Sequence, residues 1–193
     1  MDLVGIRETL TKWIVKPLVP ILIRSRLKPD TLTLIGLALN GVAAAAIATR
    51  HFLWAGFLVL FSGLFDLLDG AIARLTNQTT SFGALLDSVV DRFSEAVLFL
   101  GLLALYVREP SELEIVLVFL VLIGSFLISY IRARAEGLGI KCHVGWFTRA
   151  ERVVVLALGL LLNQVLIALS ILVVLTFVTV GQRLVYVWQK SRR

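Results

Sequence analysis

The chain has 193 residues, 59% of them hydrophobic and 17% charged, with a mean hydropathy of +0.93. That is too apolar for a soluble domain of this length, and it leaves no room for a sizeable soluble part beside a membrane part. Lys and Arg outnumber Asp and Glu by 19 to 13, for a net charge of +6. The basic residues gather at the ends of apolar runs rather than along one face, which points to topology and anionic lipid and away from nucleic acid. Cys142 is the single cysteine, so no intrachain disulfide forms, and His51 and His143 lie too far apart in sequence to suggest a histidine metal site.

Residues 1–28 read as an amphipathic juxtamembrane helix. Leu3, Ile6, Leu10, Trp13 and Ile14 fall near helical spacing, with Arg7, Lys12 and Lys16 between them, a pattern that lies in the headgroup plane. Lys12, Lys16, Pro17, Pro20 and Arg24 interrupt any apolar core a cleavable signal would need. Six transmembrane helices are expected to follow, at about 31–49, 52–75, 84–107, 113–135, 152–162 and 165–188, making an all-α, polytopic membrane protein. The fifth is short for a bilayer and is expected to begin inside the interface, including Arg149 to Arg152. With the N-terminus inside, the outward connections carry only Arg50 and Arg108. The positive-inside bias then places both termini in the cytoplasm. No repeat or linker divides the chain, so 1–193 reads as one domain.

The apolar pattern is broken by Asp66 and Asp69 near the end of the second span and by Asp87 and Asp91 near the start of the third. An ionised Asp deep in a bilayer costs about 2.5–3.5 kcal/mol, and four together repel one another. Pairing with Arg74 and Arg92 would leave two charges unbalanced. Spacings of three and four put each pair on one helix face. The two helices are joined by a short turn at 76–81, so they are expected to pack as antiparallel neighbours and bring the carboxylates into one cluster. Such all-oxygen donors suit Mg²⁺ or Mn²⁺, and two divalent ions would balance four carboxylates. Gly70, Ala73 and Gly83 allow close approach of ligand or helix.

Asp66-x-x-Asp69-Gly70-x-x-Ala73-Arg74, eight residues, then Gly83-x-x-x-Asp87-x-x-x-Asp91 resembles the full signature of the CDP-alcohol phosphotransferase family. The resemblance implies six spanning helices, a polar cavity facing the cytoplasm, two bound metals and a homodimer. It implies Asp66, Asp69, Asp87 and Asp91 as metal ligands, with Asp66 and Asp87 as bridges, and Asp91 as proton acceptor. It also implies a CDP-lipid site containing Asp66, Asp69, Gly70, Ala73, Arg74, Thr80 and Gly83, with an upstream stretch of Asp30, Thr31, Leu32 and Thr33.

Arg132, Arg152 and Arg183 lie on three further spans and are expected to converge as a phosphate clamp, pointing to an acceptor that already carries phosphate. Lys28-Pro29-Asp30, the run Ser129 to Glu136, Glu151-Arg152 and Gln182-Arg183 resemble the prokaryotic phosphatidylinositol phosphate synthase branch of the family. Arg132 stands where lysine is expected in that branch and keeps its charge. The branch implies transfer from CDP-diacylglycerol to inositol phosphate with release of CMP. Glycerol 3-phosphate as acceptor, a CDP-archaeol donor, and, from a different class, a carboxylate-based cation or proton transporter are the rival readings.

Overall fold

The computed structural model describes residues 29–75 and 80–192, with only the backbone at 29–30, 67 and 69–75. The expected amphipathic segment at 1–28 lies outside the described residues. Six helices occupy what is described: α1 (Pro29–Ala48), α2 (Phe52–Leu75), α3 (Ser81–Arg108), α4 (Glu112–Gly137), α5 (Arg149–Leu161) and α6 (Val165–Ser191). No strand occurs among the described residues, and the chain is all-helical, as its apolar runs predict. Three of the helices are long and apolar enough to cross a membrane, α1 from Thr31, α4 and α6, while α2 is apolar over Phe52–Asp66.

The helices end where the local chemistry requires it. Arg50 and Asn163 adopt left-handed backbone conformations, with φ of 61° and 55°, and so close the tight connections after α1 and α5. Asn tolerates this region well; Arg does so only at some cost. Arg50 in turn forms an ion pair with Glu109 beyond α3, so the connections after α1 and α3 lie at the same end of the bundle, as the charge distribution requires. The α5 start is capped from within: Glu151 accepts the Thr148 backbone N–H at 2.8 Å.

Packing is organised around two centres. α1 packs along both α2 and α3, and α6 packs along α4 and α5. Contacts of α2 with α5 and of α3 with α4 join the halves. The α1–α3 approach is close because α3 contributes Gly101, where an added Cβ would stand 2.6 Å from the Ala44 carbonyl oxygen. Small residues permit this backbone proximity in membrane bundles. Ala43, Ile47, Leu98, Phe99, Leu102, Leu156, Leu169 and Leu172 fill the interior. The outer faces are also apolar: Trp54, Phe57 and Phe61 on α2, Phe119, Ile123 and Phe126 on α4, and Ile167, Val174 and Val178 on α6 are exposed. A helical bundle apolar inside and outside is a membrane protein.

One expectation is corrected. Among the described residues, α2 and α3 are not closely packed on each other; each lies instead on α1. Carboxylates of the two helices nevertheless meet, through Asp66 and Asp91, at one arginine of α5.

Candidate active site

The α1 surface leaves room for the Asp66 carboxylate. At Gly36, an added Cβ would stand 3.2 Å from Asp66 Oδ1 and 3.7 Å from Ser62 Oγ. Ser62, one turn before Asp66, donates to the Gly36 carbonyl at 2.9 Å and accepts from Asn40 Nδ2 at 2.7 Å. Both side chains are buried. This short polar chain ties α2 to α1 and fixes the helical turn that carries Asp66.

Asp66 and Asp91 are brought together. Nη1 of Arg149 lies 2.8 Å from Asp66 Oδ2, and the same nitrogen pairs with Asp91 Oδ1. Two carboxylates on separate helices therefore converge on one cationic atom. Asp87 is exposed and lies within electrostatic reach of Asp66, Arg149 and Arg92. Among the described residues no three acidic, histidine or cysteine side chains form a complete metal cluster. The fourth aspartate of the motif, Asp69, lies on α2 with its side chain outside the described residues. The donors present fit a hard divalent cation: they are carboxylate oxygens, they come from two helices, and they already focus on one positive charge.

Arg149 is the residue that spacing alone did not single out. It opens α5, with Arg152 three residues later on the same helix face. Cations at a helix N-terminus oppose the helix dipole, so both arginines depend on acidic partners from other helices. For Arg152 that partner is Glu95 of α3. Arg152 Nε meets Glu95 Oε1 at 2.7 Å and its Nη2 meets Glu95 Oε2 at 2.9 Å. Ser125 of α4 donates to Glu95 Oε1 at 3.1 Å. Arg152 is 2% exposed and Glu95 is 5% exposed. Glu95 had a visible signal in the sequence, as an acidic residue one turn beyond Asp91 inside an otherwise apolar stretch.

The three expected acceptor-binding arginines are arranged differently from a simple clamp. Arg183 is buried and donates to the carbonyls of Val144 at 3.0 Å and Ile128 at 2.6 Å, pinning the connection between α4 and α5. Arg132 is exposed and paired with Glu136 one turn away at 2.9 Å. Arg152 is held by Glu95. Yet Arg183 lies within electrostatic reach of Arg132, Arg152 and Arg92, so arginines from α3, α4, α5 and α6 lie near one another. Arg92 reaches Ser129 of α4 at 3.2 Å through Nε. A shallow groove of about 460 Å³, bordered by Val144, Gly145, Gln182 and Tyr186, opens nearby without including the carboxylates.

The remaining expected contacts divide by location. Thr33 is buried and Thr31 exposed on the first turns of α1. Leu32 is 1% exposed, its side chain packed where α1 meets its neighbours. The Thr80 hydroxyl accepts the Gly83 backbone N–H at 2.9 Å and caps α3, so both residues serve the start of the helix that carries Asp87 and Asp91. The side chains of Asp30, Ala73 and Arg74, and the surroundings of Gly70, lie outside the described residues.

Comparison with known proteins matches this arrangement to one family. Residues 26–182 match the CDP-alcohol phosphatidyltransferase family. The chain is 36% identical over 179 residues to the archaetidylinositol phosphate synthase of Methanothermobacter thermautotrophicus, covering 90% of this chain and 89% of that protein. It also superposes on the phosphatidylinositol phosphate synthase of Mycobacterium tuberculosis. With the crystal structure that has CDP-DAG bound, the TM-score is 0.80 at 31% identity, covering 90% of this chain and 93% of the other. With the complex containing manganese and citrate it is 0.81 at 31% identity, covering 90% and 88%. The chain, an enzyme of lipid-linked phosphoryl transfer, belongs to the CDP-alcohol phosphatidyltransferase family.

Proposed function

We propose that the protein transfers a phosphatidyl group from CDP-diacylglycerol to inositol phosphate, releasing CMP and forming phosphatidylinositol phosphate. One observation carries the reading: Asp66 and Asp91, from two helices, converge on a single cationic atom beside a gathering of arginines from four helices. The first feature suits a metal-dependent attack on a pyrophosphate, and the second suits an acceptor that itself bears phosphate. Asp66, Asp69, Asp87 and Asp91 would hold two Mg²⁺ or Mn²⁺ ions, with Asp66 and Asp87 as bridges. Bound divalent cations supply charge neutralisation for the pyrophosphate and the departing CMP.

The protein's own residues do the rest. Asp91 accepts the proton of the attacking hydroxyl as the new phosphorus–oxygen bond forms and the bond to CMP breaks. Gly70, Ala73, Arg74 and the first turn of α1, Asp30 to Thr33, border the CDP-lipid. Arg132, Arg152 and Arg183 take the acceptor phosphate. In this reading 1–193 is one membrane domain with six transmembrane helices and an N-terminal interfacial helix, both termini and the site facing the cytoplasm. The homodimer rests on the family resemblance alone.

Similarity to the archaeal synthase favours an archaetidyl donor as the second reading. Purified protein supplied with Mg²⁺ or Mn²⁺ tests both. It is expected to release CMP from CDP-diacylglycerol with inositol phosphate, and not with inositol, serine or glycerol 3-phosphate. Turnover with glycerol 3-phosphate alone would overturn the acceptor, and turnover only with CDP-archaeol would replace the donor.

A further inference from the structure

Carboxylates in this bundle separate into two groups. Asp66 and Asp91 meet at Arg149, but the buried Glu95 sits one turn further along α3 and points at Arg152 of α5. Its two oxygens take Nε and Nη2 of Arg152, and Ser125 of α4 donates to one of them. Helices α3, α4 and α5 thus meet at one carboxylate. A fork-to-fork contact fixes the plane of a guanidinium as well as its position. Without it, the orientation would depend on a long flexible stem in the first turn of a short helix.

The pairing also leaves something over. Nη1 of Arg152 is buried and has no hydrogen-bond partner among the described residues. Buried guanidinium N–H groups are normally satisfied, and an unpaired one is costly. Arg183 and, around it, Arg132 and Arg92 add positive charge nearby. Both Arg183 Nε and Nη1 are consumed by backbone carbonyls, and Arg132 is engaged by Glu136. Arg152 Nη1 is the rigidly held donor in the group.

We propose that Glu95 is a positioning residue for acceptor recognition, holding Arg152 by Nε and Nη2 so that Nη1 is presented to the acceptor phosphate. The inference rests on the acceptor reading above, in that it requires a phosphate on the acceptor, whichever polyol carries it. Glu95 touches neither substrate. It acts by fixing the direction of one hydrogen bond, and it balances the charge of an arginine that would otherwise be buried alone.

The test begins with the wild-type enzyme and the acceptor it uses. Turnover with inositol phosphate or with glycerol 3-phosphate decides the acceptor, and absence of turnover with any phosphorylated polyol ends the functional reading before Glu95 is touched. With the working acceptor, Glu95→Gln is expected to raise the acceptor KM about tenfold, leaving kcat and the KM for CDP-diacylglycerol within about twofold. Glu95→Asp, which keeps the charge at shorter reach, is expected to fall between. An unchanged acceptor KM in folded Glu95→Gln would overturn the proposal. So would a fall in kcat together with a rise in both KM values and a loss of thermal stability, which is the outcome of a purely structural ion pair. If Glu95→Gln does not fold, Ser125→Ala decides: a rise of about threefold in acceptor KM alone supports the proposal, and no change refutes it.

Discussion

Asp66 of α2 and Asp91 of α3 reach the same guanidinium nitrogen of Arg149, although the helices that carry them pack on α1 rather than on each other. Two like charges are held at close quarters by a cation donated from a third helix. The arrangement resembles, in protein groups, the electrostatic problem a bound divalent ion solves.

Arg149 is therefore expected to matter most when divalent metal is scarce. In Arg149→Ala the two carboxylates face each other uncompensated. The melting temperature in EDTA should fall by several degrees, on the order of 1–3 kcal/mol. Saturating Mn²⁺ should restore most of the loss, as read by thermal unfolding in detergent. A loss of equal size with and without Mn²⁺ would show that Arg149 supports the fold in some other way.

Asp91→Asn is expected to abolish turnover, by at least about a hundredfold if the carboxylate is the proton acceptor. Binding of CDP-diacylglycerol, followed by titration of the purified protein, should be largely spared. A variant that retains more than a tenth of wild-type kcat would transfer the proton role to another group.

Gly36 bears on the site through space rather than chemistry. A Cβ there would press on Asp66 Oδ1 at 3.2 Å, closer than ordinary contact, and valine would fill more of the gap. Gly36→Val should raise the Mn²⁺ concentration needed for half-maximal activity several-fold while the helical circular dichroism is retained. An unaltered metal requirement would place the Asp66 carboxylate elsewhere during turnover.

The Asn40–Ser62 link makes a separate claim about stability. Ser62→Ala leaves Asn40 Nδ2 without the oxygen it donates to and removes the bond to the Gly36 carbonyl. A cost of about 1 kcal/mol is expected, in the range of interhelical hydrogen bonds in membrane bundles. Steric trapping or thermal unfolding measures it, and a neutral substitution would mean that water replaces the hydroxyl.

What the sequence made legible follows from what periodicity can report. Apolar runs and their interruptions place the six helices to within a few residues, and i, i+3 and i, i+4 spacings identify the aspartate faces. Those signals are local. Arg152 and Glu95 are 57 positions apart, and no spacing rule connects a buried acid in one helix with a base at the start of another. Arg149 and Arg152 look alike in sequence, as two basic residues at a helix start, but folding gives one to the aspartates and the other to Glu95. The expected α2–α3 pairing failed for a related reason: a short connection makes two helices neighbours in sequence, but the competing surface of α1 decides which faces are buried.

The short helix α5 carries a geometric consequence. Its 13 residues extend about 20 Å at the α-helical rise, against about 30 Å of hydrocarbon. Because Asn163 turns it directly into α6, its C-terminal end stays level with the first turn of that longer helix. In the spanning arrangement proposed above, the deficit falls at the other end: Arg149 would begin roughly 10 Å beneath the opposite surface, with Arg152 about one turn deeper. Arg183, eighteen positions into α6, lies about 27 Å along its own helix by the same rise, nearer that surface than Arg149. In the proposed reading, a donor phospholipid whose phosphate sinks toward Arg149 would keep its acyl chains among its neighbours and would not have to leave its leaflet to react.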